Sequence, residues 1–266
     1  MRLKSEFENS KDFYSYLISN KSEILDTKKQ SFKKCDGVSV NDNNSIVKSL
    51  QTNNIDDLSS GVIKRTVIGN TYNWLDSHGD VHLDGTFSNS IKQRGDKVRH
   101  YHDHIQQISA KVGEFEKVYE KTVNWSDLGI EKKGTTTVLL GNSNIEKSYN
   151  SGVFSQYLKN KIDQHSVGMY YVKIDIAIND EEYPQEKALF DSIIDKIGNK
   201  EKALELGYFF AVKEAKLIEI SAVPNGSNEI TQTIENVNPS KGNLDIDPSE
   251  DSQESKNINF KLKKLC

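Results

Sequence analysis

Cysteine is nearly absent from this 266-residue chain. Its two copies, Cys35 and Cys266, lie near opposite ends. They form neither a disulfide framework nor a Cys-x-x-Cys metal site, which points to a reducing compartment. No apolar run approaches the roughly 18 residues needed to span a bilayer. The opening MRLKSEFENS has no apolar segment of the kind a secretory signal carries. A basic excess is missing too: the net charge is −4 and the pI near 5.9. A general nucleic-acid binder needs a phosphate-facing basic surface, so that class is set aside. Apolar residues make up 35% of the chain; even with glycine added the share is about 41%, below the usual ~45–50%. The deficit predicts a real core carrying polar extensions.

The extensions can be placed. Residues 1–35 read as a helical arm, with Ser10 as a cap and Phe13, Leu17, Ile18, Ile24 and Leu25 at loose helical spacing. With so few apolar positions, the arm either docks or stays mobile. Residues 36–60 are dominated by Asn, Asp and Ser and read as a linker, giving an N-terminal unit over 1–60. From 232 to 266 an acidic, Pro-containing spacer is expected to remain disordered. It ends in INFKLKKLC, a basic-apolar tag suited to binding a partner.

Between them, residues 61–231 carry β-branched and aromatic strand signals separated by Gly-containing turns. GVIKRTVIGNTYNW, VHLDGTF, VRHYHDH, QQISAKVG, EFEKVYEKTVNW, TTTVLLG and SVGMYYVKIDIAI read as strands. GYFFAVKEAKLIEISAVP reads as a long strand or tight hairpin, and DSHGD as a turn. Helices are expected around Ser88–Arg94, in SYNSGVFSQYLKNKIDQ and across 184–206. The expected fold class is α+β: a mainly antiparallel sheet or barrel with a few packed helices and flexible ends.

Five of the six histidines fall within Asp76–His104. If RHYHDH continues as a strand, its period of two puts His100, His102 and His104 on one face. Such a face can be merely polar, can gather zinc, or can supply one general base to a nucleophile. His78 and His82 have His-x-x-x-His spacing but lack the glutamate a zincin needs. The candidate nucleophile is Ser166, which opens a strand and is followed by Gly168, where backbone can approach closely. The candidate acid is Glu219, on the opposite side of its strand from Ile218 and Ile220. Alone, each reads as a turn serine and a surface acid.

Taken in order with their flanks, GDVHLDGTF, the His-Asp step of HYHDH, HSVGM and LIEISAVPNGSN resemble the tailed-phage prohead (head maturation) serine proteases, relatives of herpesvirus assemblin. The resemblance spans about Gly61–Thr231. It implies a serine endopeptidase without cofactor or metal, with His102 as base, Ser166 as nucleophile and Glu219 as orienting acid. His100 or His104 can replace His102 by a slip of two, and Glu214 stands in reserve for Glu219. The oxyanion hole is not locatable, although backbone N–H groups near Gly168 are candidates. The chain departs from the family pattern at Met169, at PNG and in the distance from Ser166 to Glu219, which 184–206 explains as an insertion. The implied partners are phage major capsid protein and scaffold, with self-association left open and no nucleic acid or membrane. The implied location is the immature prohead in the host cytoplasm. Two other classes stay open: a non-catalytic scaffold-associated protein keeping the fold, and a zinc hydrolase using His100–His104.

Overall fold

A computed structural model describes residues 4–34, 51–52, 56 and 58–236. Cys35, Cys266, most of the expected linker and the basic-apolar tag lie outside them. The fold is α+β. Among the described residues, nine strands run in chain order: β1 (Gln51–Thr52), β2 (Val62–Thr71), β3 (Asp80–His82), β4 (Arg99–His102), β5 (Lys111–Asn124), β6 (Thr135–Glu146), β7 (His165–Ile178), β8 (Tyr208–Ala222) and β9 (Glu235–Asn236). Six α-helices accompany them: α1 (Ser10–Ser19), α2 (Lys21–Gln30), α3 (Ser88–Arg94), α4 (Ser151–Leu158), α5 (Pro184–Ile194) and α6 (Lys200–Leu206). None of the described helices is long and apolar enough to cross a membrane.

Seven strands form one mixed, mostly antiparallel sheet in the order β2-β6-β5-β4-β8-β3, with β7 also on β8. The sheet is open rather than closed into a barrel. β8 organises it. Along one edge it pairs antiparallel with β7 from Tyr208 to Ala222. On the other edge it pairs parallel with β3 near Phe210 and with β4 near Glu219. The two alternatives for GYFFAVKEAKLIEISAVP thus resolve as one long strand.

The expected arm is helical and docked. Asn9, not Ser10, caps α1, its side chain accepting from the Asp12 amide at 3.0 Å. Phe13, Leu17, Ile24 and Leu25 bury against Met169, Tyr171, Ile176 and Phe210 of β7 and β8. α5, α6 and the segment between them cover another part of these strands through Phe190, Ile193, Ile197 and Ala203, which meet Ala177, Phe209 and Ala211. Burying roughly five large apolar side chains from an arm at ~1.5–3 kcal/mol each is enough to hold it down.

Both expected domain boundaries shift. Residues 51–52, assigned to the linker, pair in parallel with 235–236, assigned to the tail. Thr233 bridges Val67, and Ile230 and Ile234 bury beside Trp74 and Trp125. The folded unit therefore runs past Thr231 to at least Asn236. QQISAKVG and EFEKVYEKTVNW are also not two strands: one turn of 3₁₀ helix over Ile108–Ala110 leads into the single strand β5.

Candidate active site

Glu219 lies near the C-terminal end of β8 and is fully buried. Its surroundings follow from register. Across the antiparallel ladder, Gly168 stands opposite Glu219 and Ser166 opposite Ser221. Directly opposed residues project to the same face, so Ser166, Gly168, Glu219 and Ser221 share one. Gly168 is required by this arrangement: a Cβ there would collide with Glu219 Oε1 and stand 2.5 Å from Phe32 Cζ. The carboxylate occupies the space a side chain would need.

Glu219 Oε1 accepts a 2.6 Å hydrogen bond from His104 Nδ1, and Oε2 accepts one from Ser221 Oγ at 2.5 Å. Both carboxylate oxygens are thus engaged, which offsets the cost of burying the charge. With Nδ1 donating to the acid, the tautomer leaves Nε2 as the basic nitrogen.

The imidazole on Glu219 is therefore His104, and the assignment to His102 is corrected. The expected continuous strand ends at His102. Asp103 and His104 then take left-handed φ of 54° and 55°, and the Asp103 amide donates to Ala222 O at 2.8 Å. Alternation stops there. His100 and His102 stand beside Ile220 and Ala222, on the face away from Glu219, while the turn carries His104 round to it. His102 Nδ1 bonds Asp103 Oδ2 at 2.9 Å, and its Nε2 lies 3.5 Å from Asn150 Nδ2.

His100 belongs to another system. Its Nδ1 meets Ser143 Oγ at 2.8 Å and its Nε2 meets Tyr157 OH at 3.1 Å. Tyr157 OH reaches His165 Nε2 at 2.7 Å, and His165 Nδ1 donates to Thr231 O at 3.1 Å. Burial depresses both imidazoles, His100 well below the usual range and His165 to about 4. Burial likewise drives the Tyr157 phenol far up. The three histidines of RHYHDH thus hold separate partners and do not converge on a zinc site. Glu214, the reserve acid, is a surface residue bonded to Lys173 at 2.5 Å and Asn89 at 3.0 Å.

Gly168 is excluded as an oxyanion donor. The amides of His165 and Met169 both bond away from β8, to Thr231 O and Lys33 O. Alternation then turns the Ser166 and Gly168 amides into the β8 ladder and leaves Val167's facing the outer edge.

One buried charge cluster has no counterpart in the sequence reading. Lys33 Nζ bridges Asp76 Oδ2 at 2.5 Å and Asp80 Oδ2 at 2.6 Å. Lys28 meets Asp80 Oδ1 at 3.0 Å, and Tyr171 OH donates to Asp80 Oδ2 at 2.5 Å. Burial opposes charge on Lys33, but the two carboxylates overcome it and raise its pKa. Burial opposes charge on Asp80 as well, yet Lys28 and Lys33 hold its carboxyl well below normal. Asp76, Asp80 and His82 form the one group among the described residues close enough to hold a metal. In this structure an ammonium bridges its two carboxylates. The visible signal was the Asp-x-x-x-Asp spacing of DSHGD, read only as a turn; nothing marked Lys33 as its partner.

Comparison with known proteins returned no matching family model, curated protein or solved structure.

Proposed function

We propose that this chain is a serine endopeptidase using Ser166, His104 and Glu219, acting in phage prohead maturation on scaffold or the scaffolding part of the capsid protein, and on itself. The observation that carries the chemistry is the buried His104–Glu219 hydrogen bond, its acid on the strand directly beside Ser166 and on Ser166's own face. A serine hydroxyl becomes nucleophilic when an imidazole takes its proton, and a buried carboxylate orients that imidazole and stabilises its charge. In the proposed reaction Ser166 Oγ attacks the scissile carbonyl carbon while its proton passes to His104 Nε2. His104 returns that proton to the leaving amine, and water then hydrolyses the acyl-serine. Ser221 holds the second oxygen of Glu219 and acts as a positioning residue. The capsid setting rests on the motif resemblance, which also supplies the implied location inside the prohead.

One observation favours a second reading, a scaffold-associated protein without catalysis. Ser166 is only 4% exposed, and Phe32 of the chain's own arm lies against the Gly168 position on the same face. Purified wild-type and Ser166→Ala chains, incubated side by side and treated with a fluorophosphonate probe, separate the two. Shortening and labelling of the wild type alone supports the protease. Absence of both, including on unfolded scaffold-type substrates, supports the binding protein.

A further inference from the structure

The arm does more than cover apolar surface. After α2 the chain turns extended, and Lys33 forms an antiparallel bridge with Met169 on the outer edge of β7. The bridge has two hydrogen bonds: Lys33 N to Met169 O at 2.9 Å and Met169 N to Lys33 O at 3.1 Å. Met169 is three residues beyond Ser166, about 10 Å along the strand. The side chains then follow the strand alternation. Phe32 falls on the Gly168–Tyr170 side, its ring 5.3 Å from that of Tyr170 and its tip beside the Glu219 carboxylate. Lys33 falls on the other side and enters the Asp76–Asp80–Tyr171 socket. His82 belongs to the same cluster; its Nδ1 is bonded to Asn70 at 2.8 Å and its buried Nε2 has no partner among the described residues. A cleft of about 340 Å³ opens between this short strand and α2, lined by Thr27, Lys28, Phe32, Lys33, His78 and Tyr171.

Backbone pairing to a sheet edge, with alternate side chains in dedicated pockets, is how extended peptides are recognised. We infer that the outer edge of β7 at Val167–Met169 and the Asp76–Asp80–Tyr171 socket form a docking site for an extended segment with a bulky apolar residue followed by lysine, and that Phe32–Lys33 fills it in cis. Naming that segment as substrate rests on the protease reading; the docking site itself does not. A bound substrate must displace Phe32–Lys33, so the arm is a resident competitor. The chain carries the same pair once more, at Phe260–Lys261.

The test uses full-length protein and a fluorescent peptide copying residues 257–265, NINFKLKKL, beside the same peptide with Lys261→Ala. Lys33→Ala protein should bind the Lys peptide at least tenfold more tightly than wild type does, and at least tenfold more tightly than it binds the Ala peptide. Equal binding of the two peptides, or no gain over wild type, overturns the inference. Should Lys33→Ala fail to fold, Phe32→Ala leaves the ion cluster whole and loosens the arm. It should also gain affinity for the Lys peptide over wild type, and no gain there overturns the inference equally. Binding without cleavage upholds the docking site and counts against the protease reading.

Discussion

Two histidine systems occupy the same short stretch of β8, on opposite faces. On one, His104 bonds a buried carboxylate. On the other, His100 and His165 are tied through Tyr157 to a serine hydroxyl and a backbone carbonyl. Burial is nearly complete in both, so it is not what separates them. The difference is the partner. An imidazole beside a carboxylate can accept a proton, because the resulting charge is met at 2.6 Å. In the second chain the bonds run one way, from Ser143 to His100, to Tyr157, to His165, to Thr231. Adding a proton there reverses a donor and leaves a charge in an apolar core. One system is suited to moving a proton, the other to staying neutral and fixing the sheet.

The sharpest way to break this contrast is to remove the groups of the first system. Ser166→Ala and His104→Ala should each lower kcat/KM by about 10⁴-fold or more, and the double variant no further, because groups acting as a unit are not additive. His102→Ala should retain most activity. If His102→Ala is the dead variant instead, the turn at Asp103–His104 does not describe the working enzyme. Glu219→Gln should follow with a loss of roughly 10²–10⁴-fold in kcat at little change in KM, since the amide no longer stabilises the imidazolium.

Tyr157→Phe tests the other system. It leaves ring nitrogens of His100 and His165 unpartnered, at a cost of about 1–3 kcal/mol, read as a lowered urea midpoint. Cleavage per folded molecule should not change. A loss of kcat without loss of stability would mean that the two faces communicate.

Acid should destabilise the fold through the buried histidines of the second system and through His82 of the lysine–aspartate cluster. The folded chain depresses His165 to about 4 and His82 to about 3, with His100 also well down, all led by burial. Unfolded, each titrates near 6.5. Below that pH the unfolded chain binds more protons, so stability falls as the pH drops, by up to ~1.4 kcal/mol per pH unit for each histidine. Urea melts at pH 7.0, 5.5 and 4.5 should show this slope, flattened in a His165→Gln variant. The smallest effect belongs to Glu214→Gln, which should leave cleavage unchanged, as the acid sits at the surface with Lys173 and Asn89.

The strand content, the α+β class and the bounds of α3 were legible from residue patterns, whereas the pairing of the serine strand with the glutamate strand was not. The alternation within each strand is local, but it is the β7–β8 register, with Ser166 opposite Ser221 and Gly168 opposite Glu219, that brings Ser166 and Glu219 to one face. His104 was not singled out, because alternation assumes a strand that continues, and nothing in HYHDH announces two successive left-handed residues. Gly168 was read for backbone approach, whereas its missing Cβ makes room for a carboxylate from 51 positions later. The Lys33 socket was invisible for the same reason: it joins residues 33, 76, 80 and 171, whose proximity is set only by the tertiary fold.

β8 sets a clock on synthesis. It is the penultimate strand, yet it supplies Glu219, seats β4 from more than a hundred residues upstream and borders β7 along its whole length. The segment closing the far side of His165 and Val67 comes later still, at Thr231–Ile234. During translation, with the ribosome adding ~5–20 residues per second, His104 is made several seconds before any acid it can bond. A nascent chain long enough to display the arm and His104 still lacks Glu219, and its N-terminal sheet must wait with β4 unpaired on one side. The His104–Glu219 pair can form only after β8 has left the ribosome, so this bond is among the last long-range contacts of the described fold to be made.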